Sequence, residues 1–212
     1  MNHPFRLYLV TDSALSLGRP LPAVVAAAAA GGVTAVQLRE KGMPEEALVR
    51  AARELLLLLR PLGIPLLIND SPEAARRSGA DGVHLGQSDM PAAEARRLLG
   101  PRALIGLSVE SPAQAAAAAE LPVDYLGISP VFGTPTKTDT APPLGLSGIT
   151  AIRRLTSLPL VAIGGIGPGN AREVLAAGAD GLAVVSAICS TADPQAAARV
   201  LREILDGTPL SP

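Results

Sequence analysis

Eight short apolar runs recur along the chain, most of them followed by a longer stretch of helical periodicity, at roughly 26 residues per unit. The runs cover residues 6–11, 35–40, 65–69, 82–85, 103–108, 125–129, 159–163 and 181–186. Helical patterns between them include 44–62, 91–99, 112–120, 147–155, 169–177 and 194–205. Several open with proline in the first turn, where a missing N–H costs nothing. Several end in glycine just before the next strand, as at Gly31, Gly79 and Gly178, which predicts left-handed C-caps. Strands that alternate with helices must pair in parallel, and continuous apolar strands have both faces covered. A closed (β/α)8 barrel, the TIM-barrel architecture, satisfies this most economically. The open doubly wound sheet would want a G-x-G-x-x-G turn after the first strand, and "VTDSALSLGRP" has none.

The chain of 212 residues is expected to form one barrel domain over 1–212, with 206–212 as a frayed tail. A net charge of −1 without a long basic stretch argues against nucleic acid. The longest oily run, 55–59, is too short to cross a bilayer, so no membrane partner is expected. "MNHPFRLYLVTD" has no signal-peptide layout, and the single cysteine, Cys189, suits a reducing cytoplasm. Sixteen arginines stand against two lysines, Lys41 and Lys137. A thermophilic origin and a GC-rich genome explain that bias equally well, and in either case the remaining lysines become candidate site residues.

"GADGVHLG", "PVDYLGIS" and "GADGLAVV" form a weak repeat that places Asp81, Asp124 and Asp180 just before strands. That is the bottom of a barrel, so these aspartates read as structural. Chemistry belongs at the strand tops. In "AVQLREKG" the period of two puts Gln37, Arg39 and Lys41 on one face and Val36, Leu38 and Glu40 on the other. Arg39 and Lys41 facing one cavity repel each other unless an anion joins them; the alternative is that they snorkel to solvent. "LLINDSP" ends in Asn69 and Asp70, and "HLGQSD" ends in Asp89. Two carboxylates on neighbouring strands are hard oxygen donors suited to Mg²⁺, which fills its shell with water and substrate phosphate. Alternatively, Asp70 makes an N-cap or an Asx turn before Ser71-Pro72, and Asp89 caps the helix at Pro91. Ser108 ends the fifth strand and His84 reads as a satisfied core residue. "VAIGGIGPGN" and "AVVSAI" place Gly164, Gly165 and Ser186 where barrels often bind phosphate, although a glycine pair also serves a tight turn. The mouth therefore reads as two anion sites, one metal-assisted and one built from backbone.

The ordered set "QLREK", "ND", "HLGQSD", "GISPVFGTPTKTDTAPPLGL", "AIGGI" and "GADGLAVVSAI" resembles the thiamine phosphate synthase family over nearly the whole chain. The resemblance implies a transferase that joins 4-amino-5-hydroxymethyl-2-methylpyrimidine pyrophosphate to a thiazole phosphate. Pyrophosphate would leave first, in a dissociative step. By the matching motifs, Gln37, Leu38, Arg39, Glu40 and Lys41, with Asn69, Ser108 and Lys137, would bind the pyrimidine pyrophosphate. Arg39, Lys41, Ser108 and Lys137 would carry catalysis, and Asp70 and Asp89 would hold Mg²⁺. Thr134, Pro135 and Thr136, with Gly165, Val185 and Ser186, would hold the thiazole phosphate. The long Thr/Pro loop would close over the mouth, with Lys41 and Lys137 converging on the leaving group. Relatives commonly carry a histidine two residues after the fifth-strand serine, where this chain has Glu110. The related thiazole tautomerases depend on a histidine there and tend to lose the metal and pyrophosphate residues. A non-catalytic phosphate-binding regulator is the third reading, and the Asp70/Asp89 pair argues against both rivals.

Overall fold

The computed structural model describes residues 4–133 and 142–207. Eight parallel strands close on themselves in sequence order: β1 (Leu7–Val10), β2 (Ala35–Leu38), β3 (Leu66–Asn69), β4 (Gly82–Leu85), β5 (Leu104–Val109), β6 (Tyr125–Ile128), β7 (Leu160–Ile163) and β8 (Gly181–Val184). Closure is made by β1 against β8, with Tyr8 opposite Ala183 and Leu9 opposite Val184. Around the barrel run α1 (Leu21–Ala30), α2 (Glu45–Leu59), α3 (Pro72–Ser78), α4 (Ala92–Leu99), α5 (Pro112–Ala118), α6 (Gly145–Arg153), α7 (Ala171–Ala176), α8 (Ser186–Cys189) and α9 (Pro194–Leu205). The expected (β/α)8 barrel is therefore the fold.

Alternation along each strand divides the apolar residues between two cores. Leu9, Val36, Leu38, Ile68, Val83 and Ile105 point outward and pack beneath the helices in the larger cluster. Phe5, Tyr8, Leu67, Tyr125 and Val161 point inward and fill the barrel axis. Each buried leucine or isoleucine contributes about 1.5–3 kcal/mol, so a one-residue slip in any strand would forfeit several such contributions at once.

The strands are short, and their lower ends need partners from outside the ladder. Those partners are the residues immediately before the even strands. Asp81 accepts from Leu66 N–H at 2.8 Å, Asp124 from Ile105 N–H at 2.7 Å and Asp180 from Leu160 N–H at 2.8 Å. In return the backbone N–H of each aspartate donates to the carbonyl of the same residue. The fourth member of the set is not an aspartate: Thr34 Oγ1 accepts from Leu7 N–H at 2.9 Å, and Thr34 N–H donates back to Leu7. The sequence repeat thus marks three of four clamps between successive strand pairs, and the fourth uses a hydroxyl. Arg96 and Arg153 brace the clamps at Asp124 and Asp180, at 2.7 and 2.8 Å.

One cap differs from expectation. Gly79 (φ 76°) and Gly178 (φ 114°) are left-handed, but Gly31 has φ −82° and the left-handed residue is Gly32. Gly31 is required for space instead, because a Cβ there would lie 2.4 Å from the Gln195 carbonyl at the start of α9.

Replacing Asp124 with alanine strands the Ile105 N–H in a buried position. Urea denaturation should show a loss of roughly 1–3 kcal/mol, the cost of an unmet buried donor. Turnover at low temperature should hold, because the clamp lies at the opposite end of the barrel from the site.

Candidate active site

The strand tops open into two cavities of about 530 Å³ each. They share Val10, Arg39, Ser129, Ile163 and Ala183, so they are two halves of one mouth. The first half lies over β2 to β5 and is polar. It is lined by Gln37, Arg39, Lys41, Asn69, Asp70, Ser108 and Glu110, among others. The inward register of β2 presents Gln37 and Arg39 as expected. Leu38 is buried in the outer core, and the Glu40 carboxylate turns to β1, accepting from Thr11 Oγ1 at 2.7 Å and Ser13 N–H at 3.0 Å. Glu40 thereby anchors the loop that carries Asp12, whose carboxylate lies 3.9 Å from Arg39 Nη1.

Asp70 and Asp89 meet at this rim. The helix-capping alternative for Asp70 fails, because Ser71 caps α3 by accepting from Ala74 N–H. Asp70 instead stands in the left-handed region at φ 62°, an uncommon conformation for a residue with a Cβ. Asp89 does not cap α4 either; its carboxylate accepts from Gly86 N–H at 2.6 Å and fixes the turn after β4. Partial burial, and then the neighbouring Asp89 carboxyl, push the Asp70 carboxyl up to about 6, against the pull of Asn69 and Arg39. Two facing carboxylates, flanked by an amide, make an oxygen donor set that fits a hard divalent cation. Among the described residues no group of three or more His, Cys, Asp or Glu side chains could hold a metal, so the remaining ligands would be water and substrate oxygens.

The second half is more apolar. Ile163, Ile166 and Val184 line it beside the turn 164–170 and the start of α8. Gly164 (φ 106°) and Gly165 (φ 64°) are both left-handed, and a Cβ on Gly165 would lie 2.8 Å from the Gly133 carbonyl. No other residue type fits this turn. Two helix starts border this cavity: that of α7, whose N-cap Asn170 lines it, and that of α8. α8 is a short extra helix with Val185 at its N-cap and Ser186 as its first residue. Such a helix after the eighth strand is a recurrent phosphate-binding element of barrels. Thr134, Pro135, Thr136 and Lys137, and with them the expected lid, lie outside the described residues.

The barrel interior below the polar half holds residues that the sequence did not mark as site residues. Gln37 Nε2 donates to Tyr8 Oη at 3.2 Å, Tyr8 and Tyr125 hydroxyls lie 3.1 Å apart, and Tyr125 Oη is 2.8 Å from His84 Nδ1. His84 Nε2 is 2.8 Å from Ser108 Oγ. His84 is satisfied, as expected, yet its ring also lines the cavity. The available signal was the glycine pattern: a Cβ on Gly106 would lie 2.1 Å from Tyr125 Cζ, and one on Gly127 would lie 2.8 Å from His84 Cε1.

Fold and site together define a (β/α)8 barrel with a two-part mouth at the C-terminal ends of its strands, the place where barrel enzymes carry their active sites. The thiamine monophosphate synthase family model matches residues 7–188. A thiamine-phosphate synthase of Albidiferax ferrireducens is 61% identical over 95% of this chain and 92% of its own, and one of Chloroflexus aurantiacus is 50% identical over 96% and 94%. The thiamine phosphate pyrophosphorylase of Pyrococcus furiosus has the same fold, with TM-score 0.88, 37% identity and 96% coverage of both chains. The chain belongs to the thiamine-phosphate synthase family, and its enzyme class is that of the family. No helix among the described residues is long and apolar enough to cross a membrane.

The Asp70 shift has a consequence for the ligand-free protein. A carboxyl raised from 3.8 to about 6 on folding favours the folded state while protonated, and that contribution is lost as pH rises through about 6. Asp70→Asn cannot ionise. Its melting temperature should therefore gain on the wild type as pH is raised across this window, and an unchanged difference would refute the raised ionisation of Asp70.

Proposed function

We propose that the two halves of the mouth bring together two phosphorylated reactants. The polar half takes 4-amino-5-hydroxymethyl-2-methylpyrimidine pyrophosphate and the apolar half takes a thiazole phosphate. The observation that carries this reading is the continuity of the two cavities through Arg39 and Ser129. A bisected site of this kind places a leaving group and a nucleophile on opposite sides of one carbon. The bond between the pyrimidine methylene carbon and the pyrophosphate oxygen breaks, and the thiazole nitrogen supplies the electron pair of the new bond to that carbon. The products are thiamine phosphate and pyrophosphate.

The side chains at the mouth suit a dissociative order, in which pyrophosphate departs first. Such a step needs positioning and charge stabilisation more than an acid–base pair. Arg39 and Lys41 offset the charge that grows on the departing oxygens, with Lys137 as a third cation, and Ser108 offers a hydroxyl to them. Asp70 and Asp89 hold Mg²⁺, which when bound neutralises pyrophosphate charge. Gly165, Val185 and Ser186, with Thr134 to Thr136, hold the thiazole phosphate and so orient the ring nitrogen. Ile163 and Ile166 keep water from the carbon while it is electron-poor. The reading places the enzyme in the cytoplasm, where its buried Cys189 stays a thiol.

Incubation with both substrates and Mg²⁺ should release pyrophosphate and thiamine phosphate in equal amounts; no release would sink the proposal. Lys137→Ala should lower turnover by roughly 10²–10³-fold, the effect of losing one transition-state donor, with little change in melting temperature. A large loss of stability with normal turnover would assign that lysine a structural part instead.

A further inference from the structure

We infer that the buried hydrogen-bond chain across the barrel has a single direction, set by Gln37, and that Tyr8 and Tyr125 are positioning residues that hold His84 in its Nε2–H tautomer. The chain runs from Gln37 on β2 through Tyr8, Tyr125 and His84 to Ser108 on β5, with links of 3.2, 3.1, 2.8 and 2.8 Å. Each hydroxyl in it has one proton to give. Gln37 Nε2 can only donate, so Tyr8 Oη accepts there and its proton goes to Tyr125. Tyr125 then spends its own proton on His84 Nδ1. A neutral imidazole that accepts at Nδ1 carries its hydrogen on Nε2, and that hydrogen is donated to Ser108 Oγ. The Ser108 proton is thereby released from the chain and directed to an acceptor in the cavity.

Both phenols are fully enclosed, and burial pushes each well above the ordinary tyrosine value, so neither gives up its proton to break the sequence. The geometry is built in at some cost. Gly106 and Gly127 leave strand positions empty so that the Tyr125 and His84 rings fit, and those rings stack with centroids 5.5 Å apart and planes at 29°. An anionic substrate has only acceptor oxygens. A Ser108 that must donate to His84 would present lone pairs to those oxygens, whereas a Ser108 that accepts from His84 presents a proton. The consequence for substrate rests on the pyrophosphate reading of the polar half; the direction of the chain does not.

The test reads the tautomer directly in the ligand-free protein. The chain has two histidines, His3 and His84, so ¹⁵N-detected imidazole spectra at neutral pH contain few signals. Nε2 of His84 should be the protonated nitrogen and Nδ1 the bare one. An Nδ1–H tautomer, or protons on both nitrogens, overturns the inference. Gln37→Glu replaces the donor with an acceptor, which should reverse every link and move the hydrogen to Nδ1; an unchanged spectrum overturns control by residue 37. If that variant does not fold, Tyr8→Phe severs the same link, and His84 should then show both tautomers, whereas a sole Nε2–H signal again overturns it. Tyr125→Phe should lower turnover about 3- to 10-fold, the equivalent of one neutral hydrogen bond. Loss of all turnover in the wild type would refute the assigned reaction while leaving the tautomer result standing.

Discussion

The contact between the Phe5 and Tyr125 rings, 4.1 Å between centroids, closes the lower half of the barrel and sets what its upper half can be. The chain has only four Phe, Tyr or Trp residues, and three of them, Phe5, Tyr8 and Tyr125, stand inside the barrel. An eight-stranded barrel has room for layers of side chains but no pore. Three rings fill the bottom layers with area that would otherwise need many aliphatic residues. The remaining inward positions can then be polar or small without leaving a void. Gln37, His84 and Ser108 sit in a layer whose floor is already dry, and that dryness makes their hydrogen bonds directional and costly to leave unmade.

The two ends of the barrel therefore use polar groups for different ends. At the bottom, Thr34, Asp81, Asp124 and Asp180 each answer a strand N–H that the ladder does not reach, and every partner is protein. At the top, Asp70 is partly buried and faces Asp89, so the cost of ionising Asp70 rises. The same residue type is a clamp where its carboxylate meets N–H groups and a candidate cation ligand where it meets a second carboxylate. Stability is concentrated at one end, and the unresolved electrostatic cost is confined to the end where a ligand can relieve it.

Much of this was legible in the sequence because it follows from periodicity. The eight strands fall within a residue or two of the apolar runs, and the inward positions of β2 follow from alternation alone. Helix starts were also legible where proline or serine marks them, as at Pro72, Pro112 and Pro194. The rest depends on contacts between distant segments. Gly31 looks like a left-handed cap; it does cap α1, but it is glycine because α9 crosses it. Thr34 shares the part of the three aspartates, but a hydroxyl does not resemble a carboxylate in a repeat. α8 is a single turn, too short to show a period. His84 was legible as a satisfied residue, while its partners on β5 and β6, and the links beyond them on β1 and β2, came together only with the barrel closed.

The aromatic shortage also limits how a planar substrate ring can be gripped. Of the three rings inside the barrel, Tyr8 and Tyr125 reach the polar half of the mouth with the His84 ring, and Phe132 packs against the outer core beside Gly165. On the proposed reading, a heterocycle in the polar half would be held by hydrogen bonds at its edge as well as by these few rings. Edge recognition demands donors and acceptors of fixed polarity, because a group that can rotate to do either discriminates little. Gln37 and Ser108 are such rotatable groups in isolation. Tying both to one buried chain removes that freedom, so the rings that fill the floor also supply fixed polarity at the mouth.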